Sequence, residues 1–222
     1  MGGGKQRHNW APLLEALGVF LLIMGYIWWL LLSHPWTWIA LLGLVLGTHA
    51  ARGEGPGHLG FGWRTLRAAF TAVFSTALAL CLVLLGIGAL LGTLRQITVR
   101  AAVVGMASYI LWGLFQQYLL NGYFVNRLAQ FGGARSFAPA FAAVLLSLAH
   151  LPNWFLMAVT LAGGYVCARI YLRYRNLYVL AIAHGMVAFC LYMMVPDSVS
   201  AHFLVGPRYL LDVYGLYPEL LL

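Results

Sequence analysis

The sequence predicts an all-α fold, a polytopic transmembrane helical bundle of about seven spans. Three observations carry this expectation. Apolar residues make up 63% of the chain and charged residues 8%, against about 25% charged in a typical soluble domain. Seven apolar runs use nearly all of the 222 residues, at roughly 20 residues per span. The thirteen Lys and Arg fall at the ends of the runs or outside them, ten on one side and three on the other. Helices that satisfy their own backbone hydrogen bonds can present such a surface to lipid.

The first span is expected from Ala11 to Ser33, ended by the tight turn at His34 and Pro35. The second runs from Trp36 to Ala50, and a Gly-rich loop follows from Ala51 to Arg67. The third covers Ala68 to Gly92, the fourth Ala101 to Val125, and the fifth Phe137 to His150. The sixth is drawn from Asn153 to Tyr171 and the seventh from Leu177 to Val195. In the tail from Pro196 to Leu222, Gly206-Pro207 is read as a helix breaker. One transmembrane domain over residues 1–222 follows.

One set of loops holds Lys5, Arg7, Arg52, Arg64, Arg67, Arg127, Arg135, Arg169, Arg173 and Arg175; the other holds Arg95, Arg100 and Arg208. The positive-inside rule then places the N-terminus in the cytoplasm and the chain, as a multi-pass protein, in the cell (inner or cytoplasmic) membrane. Membrane lipid is the first partner implied. The formal charge of +8 sits at span ends, so nucleic acid is not expected as a partner. Cys81, Cys167 and Cys190 lie inside apolar runs and read as small core residues.

Polar groups deep in a span need partners. Gln116, Gln117 and Asn121 stand in the fourth span, His150 ends the fifth before Pro152 and Asn153, and His184 lies in the seventh. Gln117 and Asn121, four apart, share a helix face. Counted at about 1.5 Å per residue from Arg127, from a helix start at Pro139 and from Arg175, the three places sit at one depth, roughly 13–16 Å in. Matching depth is expected of a site, with Tyr109, Tyr118, Tyr123 and Ser108 as further members. Singly, each residue also fits ordinary interhelical hydrogen bonding.

These residues resemble a known family, the CAAX prenyl protease type II and bacteriocin-processing (CPBP, or Abi) membrane proteins. Its members carry Glu-Glu-x-x-x-Arg on one span, Phe-x-x-x-His on the next and His-x-x-x-Asn on a later one. Gln116-Gln117-Tyr118-Leu119-Leu120-Asn121, Leu146-Ser147-Leu148-Ala149-His150 and His184-Gly185-Met186-Val187-Ala188 stand at those places, in order and spacing. The resemblance covers a core at residues 100–195. It implies an intramembrane endopeptidase whose site would comprise His150, His184, Gln116 and Gln117 as catalytic positions, with Asn121 and Asn153 binding. The substrate it implies is a lipidated peptide.

The departures are coordinated. Both glutamates are glutamine, the arginine is Asn121 and the last asparagine is Ala188. A glutamine amide can orient a water but cannot take its proton. Three functions stay open: peptide hydrolysis with His150 or His184 as base, an enzyme acting on an isoprenoid or lipid, and a non-catalytic binder of lipid or a partner. None of Glu15, Glu54, Asp197, Asp212 and Glu219 is expected at the depth of the histidines; Glu15 reads as a snorkelling or capping acid. No cofactor is expected. Two histidines would give zinc only two good ligands, and glutamine oxygen is a poor third.

Overall fold

A computed structural model describes residues 9–131 and 134–216. Lys5, Arg7 and the tail from Tyr217 to Leu222, with Glu219, lie outside the described residues. Seven apolar helices appear where the hydropathy runs place them: α1 Ala11–Leu30, α2 Pro35–Ala51, α3 Leu66–Leu90, α4 Val99–Leu128, α5 Ala138–Leu148, α6 Trp154–Tyr174 and α7 Leu177–Met194. Five are long and apolar enough to cross a bilayer, while α2 and α5 are shorter. No strand forms among the described residues, apart from one isolated bridge between Phe61 and Asn176.

Local signals fix the ends. Thr98, Asn153 and Asn176 cap α4, α6 and α7, each side chain accepting from a backbone N–H in the first turn. Pro139 sits in the first turn of α5. The expectation for Gly206-Pro207 is corrected: the pair opens a short helix, α8 Gly206–Tyr214, because a first-turn proline gives up only an N–H that would have no intrahelical partner.

In the bundle, α4 packs along α7, α3 against α7, and α5 against α6. Leu82, Val83, Leu90, Val103, Val104 and Leu111 point outward, the pattern of a lipid-facing surface. The close approach of α4 and α7 depends on Gly185, where an added Cβ would stand 2.6 Å from Ile110 Cα. Beyond Gln117 the helix widens into a π segment, Tyr118–Val125, whose residues are buried except Leu119. Such π turns recur at functional sites.

The loop after α2 is pinned to the α6–α7 junction. Tyr171 donates to the Leu59 carbonyl at 3.1 Å, Arg175 to the His58 carbonyl at 2.6 Å, and Leu177 N–H to the Gly60 carbonyl at 2.9 Å. Gly60 adopts φ 98° there, and a Cβ would meet Tyr171 at 2.7 Å. This clasp carries Glu54 into the bundle. The tail does the same for the turn after α5: Asn153 donates to the Ser200 and Leu204 carbonyls, and Gly206 N–H to the Leu151 carbonyl. On the opposite connection, Arg95 grips the Asp197 carboxylate at 2.9 and 2.5 Å and the Tyr192 carbonyl at 2.6 Å.

Candidate functional site

Three motif residues meet directly. Asn121 Nδ2 donates to Gln117 Oε1 at 2.6 Å, and Gln117 Nε2 lies 3.1 Å from His184 Nδ1. Asn121 and Gln117 are buried, at 0% and 1% exposure. The approach of α4 to α7 allows the contact: a Cβ on Gly113 would meet His184 at 3.1 Å. With the amide so oriented, His184 Nδ1 accepts and the neutral ring carries its proton on Nε2. His184 is thereby a hydrogen-bond donor toward anything beyond it.

His150 is set the other way. Its Nδ1 lies 2.7 Å from the Leu146 carbonyl. A carbonyl only accepts, so Nδ1 holds the proton and Nε2 presents a lone pair. His150 thus offers a proton acceptor and His184 a donor, with no carboxylate among their hydrogen-bond partners.

The other expected members fall elsewhere. Gln116, about 100° around the helix, is half-buried and takes no part in these hydrogen bonds. Asn153 is spent on the α6 cap and the tail carbonyls. Ser108 bonds its own helix at the Val104 carbonyl, and Tyr109 packs on Phe189 and Tyr192. Among the described residues no three His, Cys, Asp or Glu side chains gather as a metal site.

A second polar cluster escaped the sequence reading. Arg127, expected at a cytoplasmic span end, is fully buried. Its Nε bonds Glu15 at 2.6 Å, and its Nη1 bonds both Glu54 oxygens at 2.7 and 2.8 Å. Glu15 also pairs with Arg52, and Tyr123 donates to it at 3.3 Å. Glu15 is therefore an ion-pair partner, not a snorkelling or capping acid: a fully buried guanidinium needs anionic acceptors. The signal for this was the scarcity of acids. Only five occur in the chain; Glu15 stands within α1 and Glu54 just beyond α2, and both reach Arg127 at the end of α4.

Burial raises the Glu54 carboxyl, but hydrogen bonds and charge from Arg127 and His49 outweigh it and hold it below its ordinary 4.5. Hydrogen bonds from Arg95 likewise hold Asp197 below its ordinary 3.8, against a small opposing effect of burial. A depressed carboxyl stabilises the fold above its unfolded value and loses that contribution as pH falls through the folded value. Thermal unfolding in detergent should accordingly show an acid limb, in which the midpoint declines below about pH 4. Glu54→Gln should shrink that acid limb; an unchanged limb would assign it elsewhere.

The description "Type II CAAX prenyl endopeptidase Rce1-like" belongs to the family model that matches residues 98–190. No curated protein and no solved structure matches the chain. The matched segment runs from the start of α4 into α7 and contains Gln117, Asn121, His150 and His184. The chain is thus a multi-pass helical membrane protein that is CAAX-protease-like over residues 98–190, the segment that matches the Rce1-like family model.

Proposed function

We propose that the chain binds a lipid-modified peptide at the His150–His184–Gln117–Asn121 cluster and does not hydrolyse it by a glutamate-activated water. The cluster lies within a single transmembrane domain. The carrying observation is the Gln117 amide, committed at one end to His184 and at the other to Asn121. It stands where the resemblance puts the base, and it has no proton-accepting capacity. A peptide group offers a C=O beside an N–H. The donor His184 Nε2–H and the acceptor His150 Nε2 complement those two groups in turn. An apolar surround suits the lipid chain of such a substrate.

A second reading has one observation in its favour. His150 Nε2 carries a free lone pair, the arrangement of a general base oriented by a backbone carbonyl. Hydrolysis driven by that imidazole is the alternative. One assay decides between them: a farnesylated, fluorescent peptide incubated with the purified protein in detergent micelles, followed by anisotropy and by mass spectrometry. We expect binding without cleavage, weakened about fivefold in His184→Ala for the loss of roughly 1 kcal/mol of hydrogen bonding. Cleavage by the unaltered protein that vanishes in His150→Ala would overturn the binding reading. Equal binding by the unaltered protein and both His variants would overturn the site.

A further inference from the structure

The geometry points to a second ligand site, on the other side of α4, that takes a neutral lipid alcohol with its hydroxyl held between His49 and Tyr118. A cavity of about 580 Å³ lies between α2, the loop after it and α4, within the usual range for small-ligand pockets. Most of its wall is aliphatic or aromatic, including Leu46, Leu111 and Leu114. Leu46 and Leu111 are also 49% and 69% exposed. They belong to the outer surface of the bundle, so the cavity opens toward lipid.

The polar end is built from groups that the rest of the fold leaves incomplete. His49 and Tyr118 line the cavity and are only 3% and 7% exposed. Among the described residues, His49 Nε2 and the Tyr118 hydroxyl have no hydrogen-bond partner. Their rings stand 5.8 Å apart. Leaving such groups unpaired costs about 1–3 kcal/mol each, a cost that a ligand entering from lipid removes.

The ligand class follows from the protons. His49 Nδ1 lies 2.6 Å from Glu54 Oε2, so Nδ1 carries the proton and donates to the carboxylate. Nε2 is the ring nitrogen left for a ligand. Tyr118 has a proton to donate. An alcohol, donor and acceptor on one atom, can pair with His49 Nε2 and with the Tyr118 hydroxyl at once, whichever of them carries the proton. An anionic headgroup is disfavoured: Glu54 is the only charged residue among the described lining residues. An ammonium gains little from Glu54, whose oxygens are already held by Arg127 and His49.

The test uses the full chain in detergent, with tetradecanol, tetradecanoate and tetradecane titrated separately and read by thermal shift and native mass spectrometry. Tetradecanol should bind and raise the melting temperature; the acid and the hydrocarbon should bind about tenfold more weakly or worse, for the loss of one to two hydrogen bonds. Tyr118→Phe removes a hydroxyl that no protein group uses. It should leave the unliganded melting temperature unchanged or raised, and weaken tetradecanol about three- to tenfold. Leu114→Trp, which fills the apolar end, should abolish binding. Equal binding of all three probes, no binding of tetradecanol, or Tyr118→Phe binding it undiminished would overturn the proposal. None of these results bears on the peptide assay at His150 and His184.

Discussion

Arg127→Met should lower the unfolding free energy by about 3–5 kcal/mol, because it leaves the Glu15 and Glu54 carboxylates in the bundle without their shared cation. Arg127 is 0% exposed, and its partners are 19% and 9% exposed. The guanidinium reaches Glu15 through Nε and both oxygens of Glu54 through Nη1, a geometry that one ammonium cannot reproduce. Arg127→Lys should therefore recover only part of the loss. Removing the charges together, in a Glu15→Gln/Glu54→Gln/Arg127→Met variant, should recover much of it, since the penalty comes from unpaired ions and not from the absence of a salt bridge. The measurement is thermal unfolding in one detergent across the series. If Arg127→Met unfolds with the unaltered protein, the cluster is not the clamp that holds α1, the α2 loop and α4 together.

Gly185→Ala should cost about 1–3 kcal/mol and also break the His184 contact. The new methyl would lie 2.6 Å from Ile110 Cα and 2.7 Å from Ile110 N. These are backbone atoms, so no rotamer change relieves the clash and α4 must move away from α7. The Gln117–His184 hydrogen bond, at 3.1 Å, has little slack before it fails as a bond. Gly163→Ala is the control: nothing lies within 4 Å of the added carbon, and alanine is the better helix former by up to about 1 kcal/mol. Reduced stability together with reduced peptide binding in Gly185→Ala, and neither in Gly163→Ala, is the expected outcome. Equal behaviour of the two variants would remove the close helix crossing as the basis of the site.

The two clusters differ in how readable they were. Gln117 and Asn121 could be paired from their spacing alone, because a four-residue step returns to the same helix face. His150 and His184 drew notice because a titratable group inside an apolar run is costly and needs a reason. Arg127 and Glu54 gave no such signal. Each stands at the edge of a run, where a charge ordinarily meets water, and their burial depends on the loop clasped by Tyr171, Arg175 and Leu177. Asn153 was legible as a polar residue at a helix start, yet its second role, holding tail carbonyls 47 and 51 residues away, depends on contacts far along the chain.

Hydropathy runs thus determined, within a few residues, where each of the seven apolar helices begins and ends, since span length is a local property of the chain. The motif order was also local and was enough for the family resemblance. Which polar groups share a proton, which way each imidazole faces, and where the charges are buried were decided only by tertiary structure. Those outcomes rest on distances between helices, set here by Gly113, Gly185 and the loop clasp, and nothing in a single run of sequence encodes the separation of two runs.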